Sequence, residues 1–565
     1  MKSTSTVFLL FILSTLSLYA QSWQYANSFG GQSGTNPSNN NMPHNLVTDN
    51  YGNAYVFGTY GAGTEFNDST LTHFIDGNRG GFIAKFDCSG DVEWFKAVSN
   101  SEQIPDQASY LILKDDYLYL SGSCYIDSFY KTWFLDTLVI GSILVQDYPQ
   151  NSVFPWIPYR NYSYIIKMDL NGNIIDYHLL SLYNDNIAKT NAINNLWYSP
   201  AYQRAFSIDN EGNYYMFARL NVSQTSVLFC NNFPITDTIT PVSYTDYYPY
   251  YMFKFDSEFN LIWYKSIISG INDVDNYSTA IDFFDMACDS QNNLYMVGYL
   301  KTLNESGTEP NPVEVDLGNG QHLETYMNDN AVGYLLKMNS DGEVVWTQQT
   351  KGYSEDGLLS NCFFESLKLD EETNNIYVSG WAVPVRTNGP NTGTVFGGVD
   401  TLVAYYPNAV SISSFLANYD MEGNYKWMKA PYARYSRISS LDLHDDLIYG
   451  TVRWNAEFTH AEQYFSYPIG TGGFNICTWD RDGNQVSTIA VESTCSGLDK
   501  LYPYDTRVNS WGEIFTTGTY DYGLTFGDHY IYGEGFKMFI AKYGNPCPII
   551  VNETATFCYG DEYNG

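Results

Sequence analysis

The sequence predicts an all-β fold: a seven-bladed β-propeller of four-stranded antiparallel blades, closed by its own N-terminal strand. Three observations predict it. A two-part repeat recurs along nearly the whole chain, the last copy lacks its final strand, and the N-terminal segment resembles that missing strand.

The first half of the repeat reads LVTDNYGNAYVFG (46–58), FSIDNEGNYYMFA (206–218), MACDSQNNLYMVG (286–298), LKLDEETNNIYVSG (367–380) and TRVNSWGEIFTTG (506–518). Shorter versions are LILKDDYLYLSG (111–122) and LDLHDDLIYGTV (441–452). Alternating apolar residues enter a turn of Asp, Gly and Asn, and alternating apolar residues leave it, which is the pattern of a hairpin. One aromatic marks each copy: Tyr55, Tyr119, Tyr215, Tyr295, Tyr377, Tyr449 and Phe515.

The second half reads FIAKFDCSGDVEWFK (82–96), and its counterparts begin at residues 164, 251, 334, 415 and 475. It too is strand, tight turn, strand. Trp94, Trp263, Trp346 and Trp427 hold one place on the last strand. Recurrence within one chain favours blade-to-blade packing for them over a ligand site. Lys85, Lys167, Lys254, Lys337 and Lys542 share another place, replaced by Asn418 and Thr478 in two copies. Snorkelling at a blade edge is the expectation for these lysines, ahead of a ring around the channel.

Two hairpins per repeat give four strands. The aromatic markers are spaced about 77 residues apart, against about 40–45 for the common propeller repeat. A further hairpin fits the surplus between the halves, where Asp68-Ser69-Thr70, Asp136-Thr137-Leu138, Asp237-Thr238-Ile239 and Asp400-Thr401-Leu402 recur. The seventh copy stops at FIAKYG (539–544). Trp23 and its neighbours Ser22 to Ser28 supply the absent Trp-bearing strand, which removes an exposed sheet edge.

Residues 1–20 read as a signal peptide: Lys2, a short apolar stretch from Val7 to Leu18, and a cleavage site after Ala20. The domain plan is then 1–20 signal, 21–546 propeller, and 547–565 a tail that resembles the start of a truncated Ig-like module. Location is expected outside the cell or on its surface. The formal charge of −34 and the lack of a basic run argue against nucleic acid as partner. No later apolar run is long enough for a transmembrane segment. The acidity is compatible with solubility or with Ca²⁺ capture. No cofactor and no metal site follow from it, and a monomeric propeller is expected. Nine cysteines include no Cys-x-x-Cys, and Cys547 with Cys558 is the disulfide candidate.

The Asp-x-x-Gly-Asn-x-Tyr-Val-x-Gly half, the Phe-Ile-x-Lys-Phe-Asp-x-x-Gly-x-Val-x-Trp-x-Lys half, and Phe29-Gly30-Gly31 resemble the SBBP-type propeller repeats of secreted Bacteroidota proteins. The resemblance spans residues 22–544. It implies an exported or surface protein, often of the type IX route, and no particular activity.

Local enzyme signatures are absent: no His-Glu-x-x-His, Gly-x-Ser-x-Gly or Walker loop occurs. The expectation is therefore no enzyme, but a non-catalytic scaffold for binding or adhesion to a protein or glycan at the propeller face. Aromatic insertions between the halves are its expected surface, with Trp156, Tyr159, Tyr244, Tyr247 and Tyr248 as binding residues. The alternatives are an extracellular carbohydrate-active or quinoprotein-like propeller enzyme, and a structural spacer.

Overall fold

The computed structural model describes residues 21–31, 41–60, 79–101, 107–127, 159–183, 206–219, 250–267, 278–303, 313–325, 331–353, 361–383, 393–403, 412–466, 472–494 and 501–547, with short strands between several of these segments. All of the described regular structure is β, without a helix.

Antiparallel pairing groups the strands in fours in chain order; units one, three, four and five are separate sheets, unit two is extended to six strands, and units six and seven are joined in one eleven-stranded sheet. Unit one is Met42–Thr48, Ala54–Tyr60, Arg79–Phe86 and Val92–Ser101. Unit two is Gln107–Lys114, Tyr117–Asp127, Tyr159–Asp169 and Ile174–Tyr183. Unit three is Phe206–Ile208, Tyr214–Arg219, Tyr250–Phe255 and Leu261–Ser266. Unit four is Ser278–Cys288, Leu294–Leu303, Ala331–Met338 and Val344–Gln349. Unit five is Asn361–Asp370, Asn375–Val383, Ser413–Tyr419 and Tyr425–Lys429. Unit six is Tyr432–His444, Leu447–His460, Gly472–Asp480 and Gln485–Ser493. Unit seven is Leu501–Val508, Ile514–Phe526 and His529–Gly544, with Ser22–Gly31 as its fourth strand.

Register is the same in every unit. Tyr55, Tyr119, Tyr215, Tyr295 and Phe515 lie opposite Lys85, Lys167, Lys254, Lys337 and Lys542, while Tyr377 and Tyr449 lie opposite Asn418 and Thr478. These lysines do not snorkel. Lys85, Lys254 and Lys542 are buried, and the ammonium groups of all five lie 5.0–5.7 Å from their facing rings. For Lys254, Lys337 and Lys542 the reason is a carboxylate supplied from the first-half turn, whereas Lys85 meets Glu93 of its own hairpin at 2.6 Å. Asp209 lies 3.9 Å from Lys254, and Glu513 lies 2.9 Å from Lys542. First-half turn carboxylates also accept the tyrosine hydroxyls, Tyr55 to Asp49 at 3.0 Å and Tyr295 to Asp289 at 3.1 Å.

The turn aspartates have a second task. Asp209 Oδ1 accepts the N–H groups of Glu211 and Asn213, and its Oδ2 accepts the Asn213 side chain. The second-half turns repeat this around Asp169, Asp256, Asp420 and Asp480. Part of the chain's acidity is thus turn construction.

The recurrent tryptophans pack from unit to unit. Trp94, Trp263 and Trp346 donate to the carbonyls of Leu170, Ser340 and Met421 in the next unit's turn. A glycine at positive φ completes that turn, and a Cβ on Gly342 would meet Trp263 at 2.8 Å. In unit seven the expectation for Trp23 needs correcting. Tyr25 is the residue opposite Lys542 and against Gly90, as Trp94 is opposite Lys85. A register shift between Trp23 and Tyr25 puts Trp23 one pair earlier, against Phe526 and Tyr543.

The surplus between the halves is an edge cover. The middle strand Val227–Cys230 of repeat three pairs with the last strand of unit two. Thr64–Phe66 pairs with Ser22–Gly31, and the extension of repeat seven pairs with the last strand of unit six. Val313–Gly318 and Gly393–Phe396 pair with Gly270–Asn272 and Lys351–Tyr353, which follow the last strands of units three and four. Each of these repeats hydrogen-bonds the outer edge of the unit before it, which would otherwise expose unpaired N–H and C=O groups.

First strands of neighbouring units meet one another. The backbone N–H of Leu367 donates to Asp285 at 3.0 Å, and that of Val508 to Asp442 at 2.8 Å. Leu46 N–H donates to Asp505 at 3.0 Å, which joins unit seven to unit one. Cys88 is bonded to Cys547, correcting the expected Cys547–Cys558 pair. The physical reason is proximity: the unit-one turn from Asp87 to Gly90 lies over Tyr25, beside the end of His529–Gly544, so the chain leaves that strand next to Cys88. Cys558 lies outside the described residues. Burial pushes the thiols of Cys288 and Cys362 up to about 12, so they are poor nucleophiles.

Candidate functional site at the mouth of the inner strands

Each unit has two ends. One carries the Asp-Gly turns already described. The other is where first strands begin and second strands finish. At this second end the ladder slips by one residue in six first strands, between Pro43 and Asn45, Ala108 and Tyr110, Phe283 and Asp285, Phe364 and Ser366, Ile438 and Ser440, and Pro503 and Asp505. Such bulges re-aim a side chain out of the sheet pattern. The extra residues are His44, Ser109, Phe284, Glu365, Ser439 and Tyr504. Two follow a proline, which lacks the N–H that the ladder would use.

Beside the bulges, facing pairs occupy one register position with differing chemistry. They are Met42 with Thr59, Asp282 with Tyr299, Phe363 with Trp381, Arg437 with Arg453, and Tyr502 with Thr519. Their side chains join into an arc. Tyr299 donates to Asp282 at 2.5 Å, and its ring meets Phe363 edge-on at 4.8 Å. Phe363 stacks on Trp381 at 4.2 Å. The Arg437 guanidinium lies 5.8 Å from the Trp381 ring. Glu365 accepts Trp381 Nε1 at 2.8 Å and Arg437 Nε at 2.7 Å, and Arg437 Nη2 also donates to it.

The arc continues across unit six into units seven and one. Arg453 sits 4.0 Å from the centre of the Tyr502 ring. Tyr502 stacks on Tyr504 at 6.2 Å, Tyr504 lies 6.1 Å from His44, and His44 Nε2 is 3.3 Å from the Thr59 hydroxyl. Phe363, Trp381, Arg437, Arg453, Tyr502 and His44 are all half-buried. Arg437 and Arg453 carry like charges at one register position, and their guanidiniums turn to different neighbouring units. Glu365 offsets one, and the Tyr502 ring face receives the other.

Among the other described histidines, His178 stacks on Phe259 at 4.1 Å and burial lowers its pKa. Burial also takes His460 down to about 4. Among the described residues no group of three or more His, Cys, Asp or Glu side chains is placed to hold a metal ion. Nor is any helix long and apolar enough to cross a membrane, which says nothing of strands.

Of the expected binding residues, Trp156, Tyr244, Tyr247 and Tyr248 lie outside the described residues. Tyr159 opens a strand opposite Asp127. The arc uses none of them. It does have a sequence signal: the residue four places after each repeat aromatic, next to the closing glycine in most copies, is Thr59, Ser123, Arg219, Tyr299, Trp381, Arg453 and Thr519. The scaffold fixes the place and leaves its chemistry open.

No protein-family model and no curated protein matches the sequence. Solved structures similar over most of the chain are a polysaccharide lyase PL25 described as an ulvan lyase, at 10% identity, covering 92% of this chain and 95% of that one with a TM-score of 0.38, and the polysaccharide lyase Uly1, at 9% identity, 91% and 92% coverage and a TM-score of 0.39. A DUF4221 member from Bacteroides vulgatus is 10% identical, covering 64% of this chain and 98% of its own, with a TM-score of 0.20. The expectations of a non-catalytic scaffold and of no enzyme are corrected here. The chain-length likenesses are to enzymes, and the arc carries acid–base and cationic side chains that no local motif announced.

Proposed function

We propose that the chain is a carbohydrate-active enzyme that cleaves an acidic polysaccharide at the mouth of a seven-bladed β-propeller. The seven units in one register, the Leu46–Asp505 bond and the fourth strand from Ser22–Gly31 support a ring closed by the N-terminal strand. The repeat halves support kinship with SBBP-type proteins. Lys2 and the apolar stretch after it support action outside the cell.

The observation that carries the proposal is Arg437 opposite Arg453, in an arc that holds His44 and Tyr504. Guanidiniums bind carboxylate or sulfate substituents, and aromatic faces stack on sugar rings. Hydrolysis of a glycoside calls for two available carboxyl groups. Here Glu365 is engaged by Arg437 and Trp381, and Asp282 by Tyr299. The set suits β-elimination from a uronate. The arginines neutralise the carboxylate and stabilise charge as the adjacent C5 proton leaves. His44 or Tyr504 takes that proton, the C4–O bond breaks, a C4–C5 double bond forms, and the leaving oxygen is protonated.

The test is incubation with a panel of uronate and neutral polysaccharides, following the ultraviolet absorbance of the unsaturated uronate. Signal on uronate polymers, reduced about 10²–10⁴-fold in His44→Ala, is expected. No signal on any uronate polymer sinks the reading.

A further inference from the structure

We infer that Glu365 is a positioning residue that orients Arg437 toward the anionic group of the substrate; the inference rests on the reading above. Glu365 is the extra residue of the unit-five bulge and is buried. A buried carboxylate is costly to a fold unless it is paired. The scaffold does not require one there, since the equivalent bulges hold His44, Ser109, Phe284, Ser439 and Tyr504.

Its oxygens are spent on the neighbouring unit. Both take an Arg437 N–H, and one also takes the indole N–H of Trp381. Arg437 is thereby gripped along one edge by a fork and lies near the Trp381 ring. A guanidinium held this way has its plane fixed, which a single contact would not do. The fixed plane stands opposite Arg453 in the same register. Glu365 and Trp381 come from unit five and both arginines from unit six, so the ion pair also sets the relation of two neighbouring units at the mouth.

The experiment compares the full chain with Glu365→Gln, Arg437→Lys and the double variant. Binding of polyglucuronate and of dextran is read by tryptophan fluorescence, turnover of polyglucuronate by kcat and KM, and folding by melting temperature. Glu365→Gln keeps the size and one acceptor but loses the charge. The expected result is polyglucuronate binding weakened, and KM raised, about tenfold to hundredfold. Because Arg437 also stabilises the charge that develops as the C5 proton leaves, kcat on polyglucuronate is expected to fall as well, about tenfold. Dextran binding is expected to be unmoved. The double variant is expected to be no weaker than Arg437→Lys, because both changes act through one guanidinium.

Unchanged binding and KM in a folded Glu365→Gln overturns the inference and leaves the lyase reading standing. A proportional loss of binding for both polymers also overturns it, as a merely structural effect. Wild-type binding without turnover, weakened by Glu365→Gln, fells the lyase reading and keeps the inference. Absence of both binding and turnover in the wild type overturns both.

Discussion

The two ends of each unit follow different rules. At the turn end, seven aromatic rings occupy one register position, and five of them face a lysine. Four residues further along the same strands, about 13 Å away, the facing pairs are Asp282 with Tyr299, Phe363 with Trp381, and Arg437 with Arg453. Backbone geometry is shared and the chemistry is not. Where every unit repeats a residue, the scaffold needs it for packing and turn closure. Where units differ in one register position, packing alone does not choose the residue.

The strongest test of this contrast is removal of residues 21–29. The fourth strand of unit seven would be lost, and with it the contacts of Tyr25 on Gly90 and Trp23 on Phe526. Cooperative thermal unfolding should be abolished or shifted far downward. An unchanged melt would mean that this strand is not equivalent to the other fourth strands.

Next in size is Lys542→Met. It leaves Glu513 buried without its cation, at a cost of about 3–5 kcal/mol by chemical denaturation. The double change Lys542→Met with Glu513→Gln should recover much of that. At the mouth, Arg453→Met should alter stability by only about 1 kcal/mol while turnover falls about 10²-fold. A large stability loss from Arg453→Met would erase the distinction between the two ends.

A smaller effect is expected at the turns. Gly342→Ala forces a Cβ to 2.8 Å from Trp263 at a φ of 76°, and should cost about 1–3 kcal/mol in denaturant titration. The smallest concerns pH. Burial acts to raise the carboxyls of Asp169, Asp256 and Asp480, but bonds from Asn side chains and backbone N–H groups prevail and hold them below the usual range. A depressed folded pKa adds stability above the unfolded value of about 3.9. That stability is lost as pH falls through the lower folded values. Melting temperature measured downward from pH 6 should drop by a smaller amount in Asp480→Asn, whose turn no longer titrates.

Much of the scaffold was legible because it repeats. Hairpins, the shared aromatic and the N-terminal strand are local patterns copied along the chain. Trp23 looked equivalent to the recurrent tryptophans, but Tyr25 takes their place, because a register shift between the two cannot be seen in residue types. Cys547 was matched with the near Cys558, but its partner Cys88 is 459 positions away. Lys254 and Lys542 looked like edge residues because their partners, Asp209 and Glu513, come from the other hairpin.

The mouth was less legible. His44, Glu365, Arg437 and Arg453 belong to no motif and are far apart in sequence. A weak signal existed in the variable residue four places after each aromatic, and in the prolines before His44 and Tyr504. The sequence by itself determined an all-β repeat chain, its turns, and which strand lies last, because alternation and turn chemistry act between near neighbours. Tertiary structure alone decided that the middle hairpins cover the preceding unit's edge, that Cys88 meets Cys547, and that an acidic chain sets two arginines at one register position. Those outcomes depend on strand register and on bulges, which are set by packing between segments far apart in the chain.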